Sequence, residues 1–450
     1  MAMGNDGVTK VTLIFLATLA TIIPRLEANF NFTSEEIINN NKELLRRAIL
    51  DAYEPDPYNV TSEFNLHVHK AIEEDDHIST RRALNGHKNK RYKGPCMATN
   101  PIDRCWRCRP DWAADRKRLV RCVKGFGRKT TGGLAGRIYV VTDPSDNDLV
   151  NPKIGTLRYG VIQDEPLWII FQRSMVINLQ QELLVSSHKT IDGRGANVQI
   201  TGGAGISLFK VENVIVHNLR IHHIVPKPGG LIRFNSKFPP GFRTRSDGDA
   251  ISIFNSANIW VDHISLSNCA DGLVDVIQSS TGITISNCHL THHDDVMLLG
   301  GNDLHVQDKI MQVTVAFNHF GQGLIQRMPR TRFGFVHVVN NDYTHWLKYA
   351  IGGSSGPTIM SQGNRFIAPD DQPFKEITHR DYAVPAVWSQ WKWTTEMDLF
   401  MNGARFVASG GPPRPPPTVI GGLIKPKDGT FVTRLTRFTG ALQCIVGRPC

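Results

Sequence analysis

The sequence predicts an all-β fold, a right-handed parallel β-helix. Three features predict it: a recurring Asn-bearing segment, a spacing that settles near 23 residues, and short β-branched runs without hairpin dipeptides between them. From about Gly132 onward, runs of Val, Ile and Thr are broken by Asn, Gly and Asp. The segments NVIVHNLRI (213–221), NIWVDHISL (258–266), GITISNCHL (282–290), QVTVAFNHF (312–320) and FVHVVNNDY (335–343) are comparable. Aligned, they put Asn218, His263, Asn287, Asn318 and Asn341 in one column, which Asn364 continues, at steps of 45, 24, 31, 23 and 23 residues. That pattern reads as a solenoid with one double step and one insertion, its coils each too small to bury themselves. Asn suits the bends because it tolerates left-handed backbone and can bond to Asn in the coils above and below. A β-sandwich would need hairpin turns and no fixed-period column.

The elements before the solenoid follow from simpler patterns. Val11 to Ile23 is an uncharged, mostly apolar run after Lys10. It is short of the roughly 20 residues that span a bilayer, and it fits a secretory h-region with Ala28 available for cleavage. Residues 1–28 are read as a signal peptide, and the chain as secreted to the extracellular space or cell wall. No other stretch approaches spanning length. Asn31 and Asn59 head the N-x-S/T sequons and are candidate glycosylation sites. Residues 29–95 are read as a short helical extension plus linker. Thr33 and Glu36 can form a capping box, and Ile37, Ile38, Leu44, Leu45, Ala48 and Ile49 recur at helical spacing before a polar tract. Residues 96–450 are the main body. Cys96, Cys105, Cys108 and Cys122 cluster at its start and Cys444 and Cys450 close it, which in an exported chain means disulfides of open pairing. Zinc at Cys105-Trp-Arg-Cys108 lacks a second ligand pair at finger spacing. Cys269 and Cys288 are expected as buried residues in neighbouring strands.

Composition bounds the partners. With 41% hydrophobic and 20% charged residues, the chain is neither disordered nor collagenous. It carries 51 Lys+Arg against 41 Asp+Glu, and residues 66–130 alone hold a net +10. Such a surface suits an anionic partner. A nucleic-acid binder would explain the charge but neither the export signal nor the carboxylates described next, so no nucleic acid is expected. A monomer is expected.

Asp247 and Asp249 in RSDGDAISIF, and Asp271 and Asp275 in NCADGLVDVI, fall in adjacent coils that stacking brings within several ångströms. Hard carboxylate oxygens without Cys or an evident His partner suit Ca²⁺ better than zinc, although each Asp-Gly alone is ordinary turn chemistry. The EF-hand loop pattern is absent. Arg327, Arg330 and Arg332 sit in QRMPRTRFG, where Pro329 stiffens the segment and holds the guanidiniums outward. Arg pairs bidentately with carboxylates, and a phosphate-binding or structural role fits the spacing equally well. Asp294 and Asp295 are discounted as a glycosidase pair because adjacent strand residues point to opposite faces.

These residues carry a resemblance. Trp260-Val-Asp-His263, SDGD at 246–249, CADGLVD at 269–275, QRMPRTR at 326–332 and VVNNDYTHW at 338–346 resemble plant pectate lyases. NPIDRCWRC at 100–108, TDPSD at 142–146 and IDGRGANV at 191–198 extend the likeness, which runs from about Cys96 to Cys450. It is similar to pollen- and flower-type members with an N-terminal extension, a group that includes pollen allergens. The resemblance implies calcium-dependent cleavage of α-1,4-linked polygalacturonate, the de-esterified pectin of cell walls, by β-elimination to 4,5-unsaturated ends. It implies Asp247, Asp271 and Asp275 as Ca²⁺ ligands with Asp249 as a candidate fourth. It further implies Arg327 as the proton-abstracting residue and Arg332 as the residue holding the substrate carboxylate. Read from the residues alone, Arg327 is instead an electrostatic stabiliser, since a free guanidinium stays protonated above about pH 12. The chain departs from the family pattern at Asp295, where several members carry Lys, at Ala250 in place of a frequent Gly, and at Thr331 in place of a frequent Cys. A β-helix polygalacturonase and a catalytically weak, allergen-like pectin binder are the rival readings.

Overall fold

The computed structural model describes residues 96–413 and 417–450. The signal segment, both sequon asparagines Asn31 and Asn59, and the helical extension lie outside them. Three parallel sheets of ten, nine and eight strands wind as a parallel β-helix, the expected fold. One coil shows the path. Ala257–Asp262 lies in the ten-stranded sheet, Ser265–Ser267 in the nine-stranded sheet and Val274–Ile277 in the eight-stranded sheet. Thr281–Ser286 then starts the next coil, with Ala257 opposite Thr281.

Alternation along each strand sends every second side chain inward. Val216, Val261, Ile285, Val315 and Val338 stack in register through the ten-stranded sheet, all fully buried. Each contributes on the order of 2 kcal/mol of apolar burial. In the nine-stranded sheet Phe320, Tyr343 and Phe366 stack with ring centroids 4.5 Å apart. No helix among the described residues is long and apolar enough to cross a membrane.

The repeat differs from the sequence expectation in two respects. The single Asn column is two adjacent columns. Asn218, His263 and Asn287 share a left-handed position with Phe317, Asn340 and Gly363. Asn318, Asn341 and Asn364 stand one residue later and form the ladder, Asn318 Nδ2 donating to Asn341 Oδ1 and Asn341 Nδ2 to Asn364 Oδ1, both at 3.0 Å. Sequence alignment merged them because Asn serves both the bend and the ladder. The 45-residue step is also one coil, not two, since the strand Glu212–His217 pairs directly with Ala257–Asp262. The extra length holds an insertion with an antiparallel pair, Gly230–Ile232 against Gly241–Arg243.

The first described residues form a strap across the outside of the ten-stranded sheet, received by a row of outward threonines. Phe126 N donates to Thr314 Oγ1 at 3.0 Å, and Gly127 N and Gly133 N donate to Thr284 Oγ1 and Thr190 Oγ1 at 2.9 Å. A Cβ at Gly125 would lie 2.7 Å from both Thr284 Oγ1 and Thr314 Cβ, so only glycine lets the strap approach this closely. The C-terminal segment is tied to the bends: Leu442 N donates to Asn218 Oδ1 (2.7 Å) and Lys427 N to Asn340 Oδ1 (2.9 Å). The disulfides are Cys96–Cys108, Cys105–Cys122 and Cys444–Cys450. Cys269 and Cys288 are free and sit in turns rather than in the strands expected for them, Cys288 buried and Cys269 partly so.

Candidate active site

The four aspartates meet at the turn between the nine- and eight-stranded sheets. Asp247 and Asp249 precede the strand Ile251–Phe254, Asp271 lies in the next coil's turn, and Asp275 sits on the strand Val274–Ile277 opposite Ser252. One carboxylate oxygen from each of Asp247, Asp249 and Asp271 falls within 4.8 Å of the others. Asp275 lies against this triplet. A Cβ at Gly272 would lie 2.3 Å from Asp275 Oδ1 and 3.0 Å from Asp249 Oδ1, so a bare glycine keeps the space between them open. Both of those oxygens are buried and have no hydrogen-bond partner.

Burial raises the Asp249 carboxyl well above the usual range, and the charges of Asp275, Asp247 and Asp271 push the same way. Asp275 is pushed up to about 8, by burial first and then by Asp271 and Asp247, against the Leu298 amide and Arg327. Asp271 is raised by burial and Asp247. Unpaired buried charges of one sign are costly, and a divalent cation removes that cost. The donor set is all oxygen, partly buried and spread over two coils, which fits Ca²⁺. The sequence weighted Asp249 as an optional fourth, whereas the structure puts it inside the compact triplet with Asp275 behind.

Arg327 follows the strand Leu324–Gln326 in left-handed backbone (φ 63°), ahead of the cis Met328–Pro329 bond. It lies close enough to Asp271 and Asp275 to lower their pKa values. Its Nε lies 2.9 Å from Asp295 Oδ1 without hydrogen-bond geometry, both side chains being 29% exposed. Arg332 is held elsewhere: Nε donates to Asp303 Oδ1 at 2.9 Å and Nη1 to the Gly300 carbonyl at 2.8 Å. Asp303 also accepts from the Ser354 and Ser355 hydroxyls at 2.6 and 2.7 Å. Arg330 is buried and donates from Nε to Asp381 Oδ2 at 2.9 Å, a structural pair. Of the three guanidiniums, then, only Arg327 is drawn into the aspartate cluster's field.

Three features escaped the sequence. Gln326 Nε2 donates to both Asp294 Oδ1 and Asp295 Oδ1 at 3.0 Å, so these adjacent carboxylates converge on one amide instead of facing apart. Asp295 pairs with Arg327, a contact hinted at only by the acid in HHDDVMLLG. Nothing in the local sequence marks Asp303 as the partner of Arg332.

Comparison with known proteins places the chain among relatives. A family model described as pectate lyase matches residues 177–382, and one described as pectate lyase, N terminus, matches residues 36–84. A pectate lyase of Lilium longiflorum is 64% identical over 89% of this chain and 90% of its own. A probable pectate lyase of Arabidopsis thaliana is 53% identical over 97% and 98%. Among solved structures, jun a 1, the major allergen from cedar pollen, superposes with a TM-score of 0.75 at 46% identity, covering 76% of this chain and 99% of that one. A pectate lyase bound to a hexasaccharide, at 17% identity and a TM-score of 0.53, shares the fold over 71% of this chain and 96% of its own.

Proposed function

The chain belongs to the pectate lyase family, and from that premise we propose that it cleaves α-1,4-linked polygalacturonate by Ca²⁺-dependent β-elimination. The observation that carries this is the buried, unpartnered pair Asp249 Oδ1 and Asp275 Oδ1, with Arg327 close enough to act on Asp275. Asp247, Asp249, Asp271 and Asp275 would hold the ion. Bound there, Ca²⁺ supplies Lewis acidity that makes the proton beside a uronate carboxylate easier to remove.

This chain's residues do the rest. Arg327, close to Asp271 and Asp275, takes the proton from C5 as a neutral guanidine and becomes guanidinium. The electron pair forms the C4–C5 double bond as the C4–O bond breaks. One chain is left with a 4,5-unsaturated end, and the other, after gaining a proton from water, with a free hydroxyl. Arg332 holds a neighbouring uronate carboxylate, its guanidinium oriented by Asp303 and the Gly300 carbonyl. The three disulfides suit an oxidising compartment, in keeping with export directed by residues 1–28, glycosylation at Asn31 and Asn59, and action at the cell wall.

The deciding experiment incubates the protein with polygalacturonate, with and without a calcium chelator, and follows the ultraviolet absorbance of unsaturated ends. Absorbance should rise only with Ca²⁺ present. Saturated products, or a chelator-insensitive rate, would replace the proposal with hydrolysis by a β-helix polygalacturonase. The Asp295–Arg327 contact favours one further reading, a pectin binder of weak turnover, because a carboxylate occupies the guanidinium that must reach C5.

A further inference from the structure

The excess positive charge has a structural destination away from the catalytic turn. A cavity of about 490 Å³ opens at the seam between the N-terminal strap and the C-terminal segment. Arg104, Lys124, Arg128, Lys425 and Lys427 line it over an apolar floor that includes Phe317, and among the described residues no acidic side chain lines it. All five cations are exposed, and none forms an ion pair among the described residues. Residues 96–130, which supply three of the five, contain ten Lys and Arg against three Asp. The arrangement is held in place by backbone: Asn340 Nδ2 donates to the Lys427 carbonyl at 2.7 Å, and Gly125 seats the strap on Thr284 and Thr314.

Position separates this cavity from the aspartate cluster. Phe317 and Asn340 stand at the bend between the ten- and nine-stranded sheets, whereas the aspartates and Arg327 stand at the bend between the nine- and eight-stranded sheets. The two sites occupy different edges of the helix. The volume lies within the range of about 300–1,000 Å³ common for ligand sites. A rim of unpaired cations over apolar side chains suits a polymer with a carboxylate on each unit and an apolar face on each ring.

From this we infer that the cavity is a second, non-catalytic binding site for polygalacturonate, which tethers the enzyme to the polymer it cleaves. The inference rests on the proposed substrate. Engagement of one polymer at two edges raises the effective concentration of chain at the catalytic turn, without any change in the chemistry there.

The test uses the full-length protein and a Lys124→Glu/Arg128→Glu/Lys425→Glu variant. In chelator, so that the catalytic site contributes no Ca²⁺-dependent binding, wild type should be retained on immobilised polygalacturonate and released by salt. The variant should elute at markedly lower salt, fully methyl-esterified pectin should not compete, and the variant's KM for long polygalacturonate should rise about fivefold or more. Its kcat/KM on trigalacturonate should stay within twofold of wild type, which also shows that it is folded. Equal retention of variant and wild type, no retention of wild type, or effective competition by methyl-esterified pectin would each overturn the inference. The proposed activity is read separately: absence of unsaturated product from wild type with Ca²⁺ present overturns the lyase mechanism, while the chelated column still reports on the cavity.

Discussion

Buried carboxylates occur in two parts of this molecule, and their surroundings are opposite. Beneath the N-terminal strap, Asp103 accepts from Arg107 and lies 2.8 Å from His263 Nε2, while Asp192 is gripped by Arg194 at 2.8 and 2.7 Å and approached by Arg116 at 3.0 Å. Asp262 Oδ1 accepts from Ser286 and Asn287, and its Oδ2, without a hydrogen bond of its own, lies 3.0 Å from His217 Nδ1. At the aspartate turn, Asp249 and Asp275 are less deeply placed as residues, yet each keeps a buried oxygen without a hydrogen-bond partner. The pKa directions follow. At Asp103, burial alone would raise the carboxyl, but His263 and Arg107 bring it down to about 2, whereas Asp249 and Asp275 are driven up. Paired buried charge holds a fold together. Unpaired buried charge of one sign is kept for something that arrives later.

The comparison breaks most readily at the aspartate turn. Asp271→Asn with Asp275→Asn should lower unsaturated-product formation by about 10³-fold or more, as loss of a metal that stabilises the transition state does. The same variant without Ca²⁺ should melt at or above the wild-type temperature, since repulsion has been removed. Ca²⁺ should raise the melting temperature of wild type alone, by an amount equivalent to about 2.7 kcal/mol at a hundredfold excess over Kd. A drop in the Ca²⁺-free melting temperature of the variant would mean that these carboxylates are structural after all.

Asp103→Asn should do the reverse. It strands His263 and Arg107 in a buried site and should cost about 3–5 kcal/mol in denaturant unfolding, while the folded enzyme keeps its kcat. The same pair should show in the pH dependence of melting. Asp103 has a folded pKa below its ordinary 3.8, so its contribution is complete above about pH 4 and is lost as pH falls toward 2. His263, despite its burial, is raised above 6.5 by Asp103, so its contribution is complete below about 6.5 and is lost as pH rises through the folded value. The stability gap between wild type and Asp103→Asn should therefore be widest between about pH 4 and 6.5 and shrink by about 2 kcal/mol at the acid end. A gap that is flat with pH would separate Asp103 from His263.

The smallest effect belongs to Asp295, which lies between the two cases because it is half-buried and paired with a residue assigned to chemistry. Asp295→Asn should free Arg327 and remove a negative charge facing an anionic substrate, lowering KM for polygalacturonate several-fold with a smaller change in kcat. An increase in KM would show that Asp295 positions Arg327 productively.

How much of this could be read in advance depended on sequence distance. The solenoid was legible because its repeat is local, and the aspartates were legible because two-residue and four-residue spacings in adjacent coils survive folding unchanged. The two Asn columns were merged because one residue type does two jobs a single position apart. The strap's charge network was hidden because its partners are remote: Asp103 and His263 are 160 residues apart, and Arg116 and Asp192 are 76 apart. The pairing of Asp295 with Arg327 was hidden for a related reason, since it joins successive coils through a register that only the stacked structure defines.

The strap has one more consequence, for how the molecule comes apart. A stack of coils that touch only their neighbours can unzip from either end, one coil at a time. Here a single segment is hydrogen-bonded to Thr190, Thr284 and Thr314, and the C-terminal segment grips Asn218 and Asn340. Together these clasps tie several coils to one another, so releasing one coil requires releasing many. The bracing turns a chain of nearest-neighbour units into a body that unfolds as one, and so offers a protease no half-open end to attack.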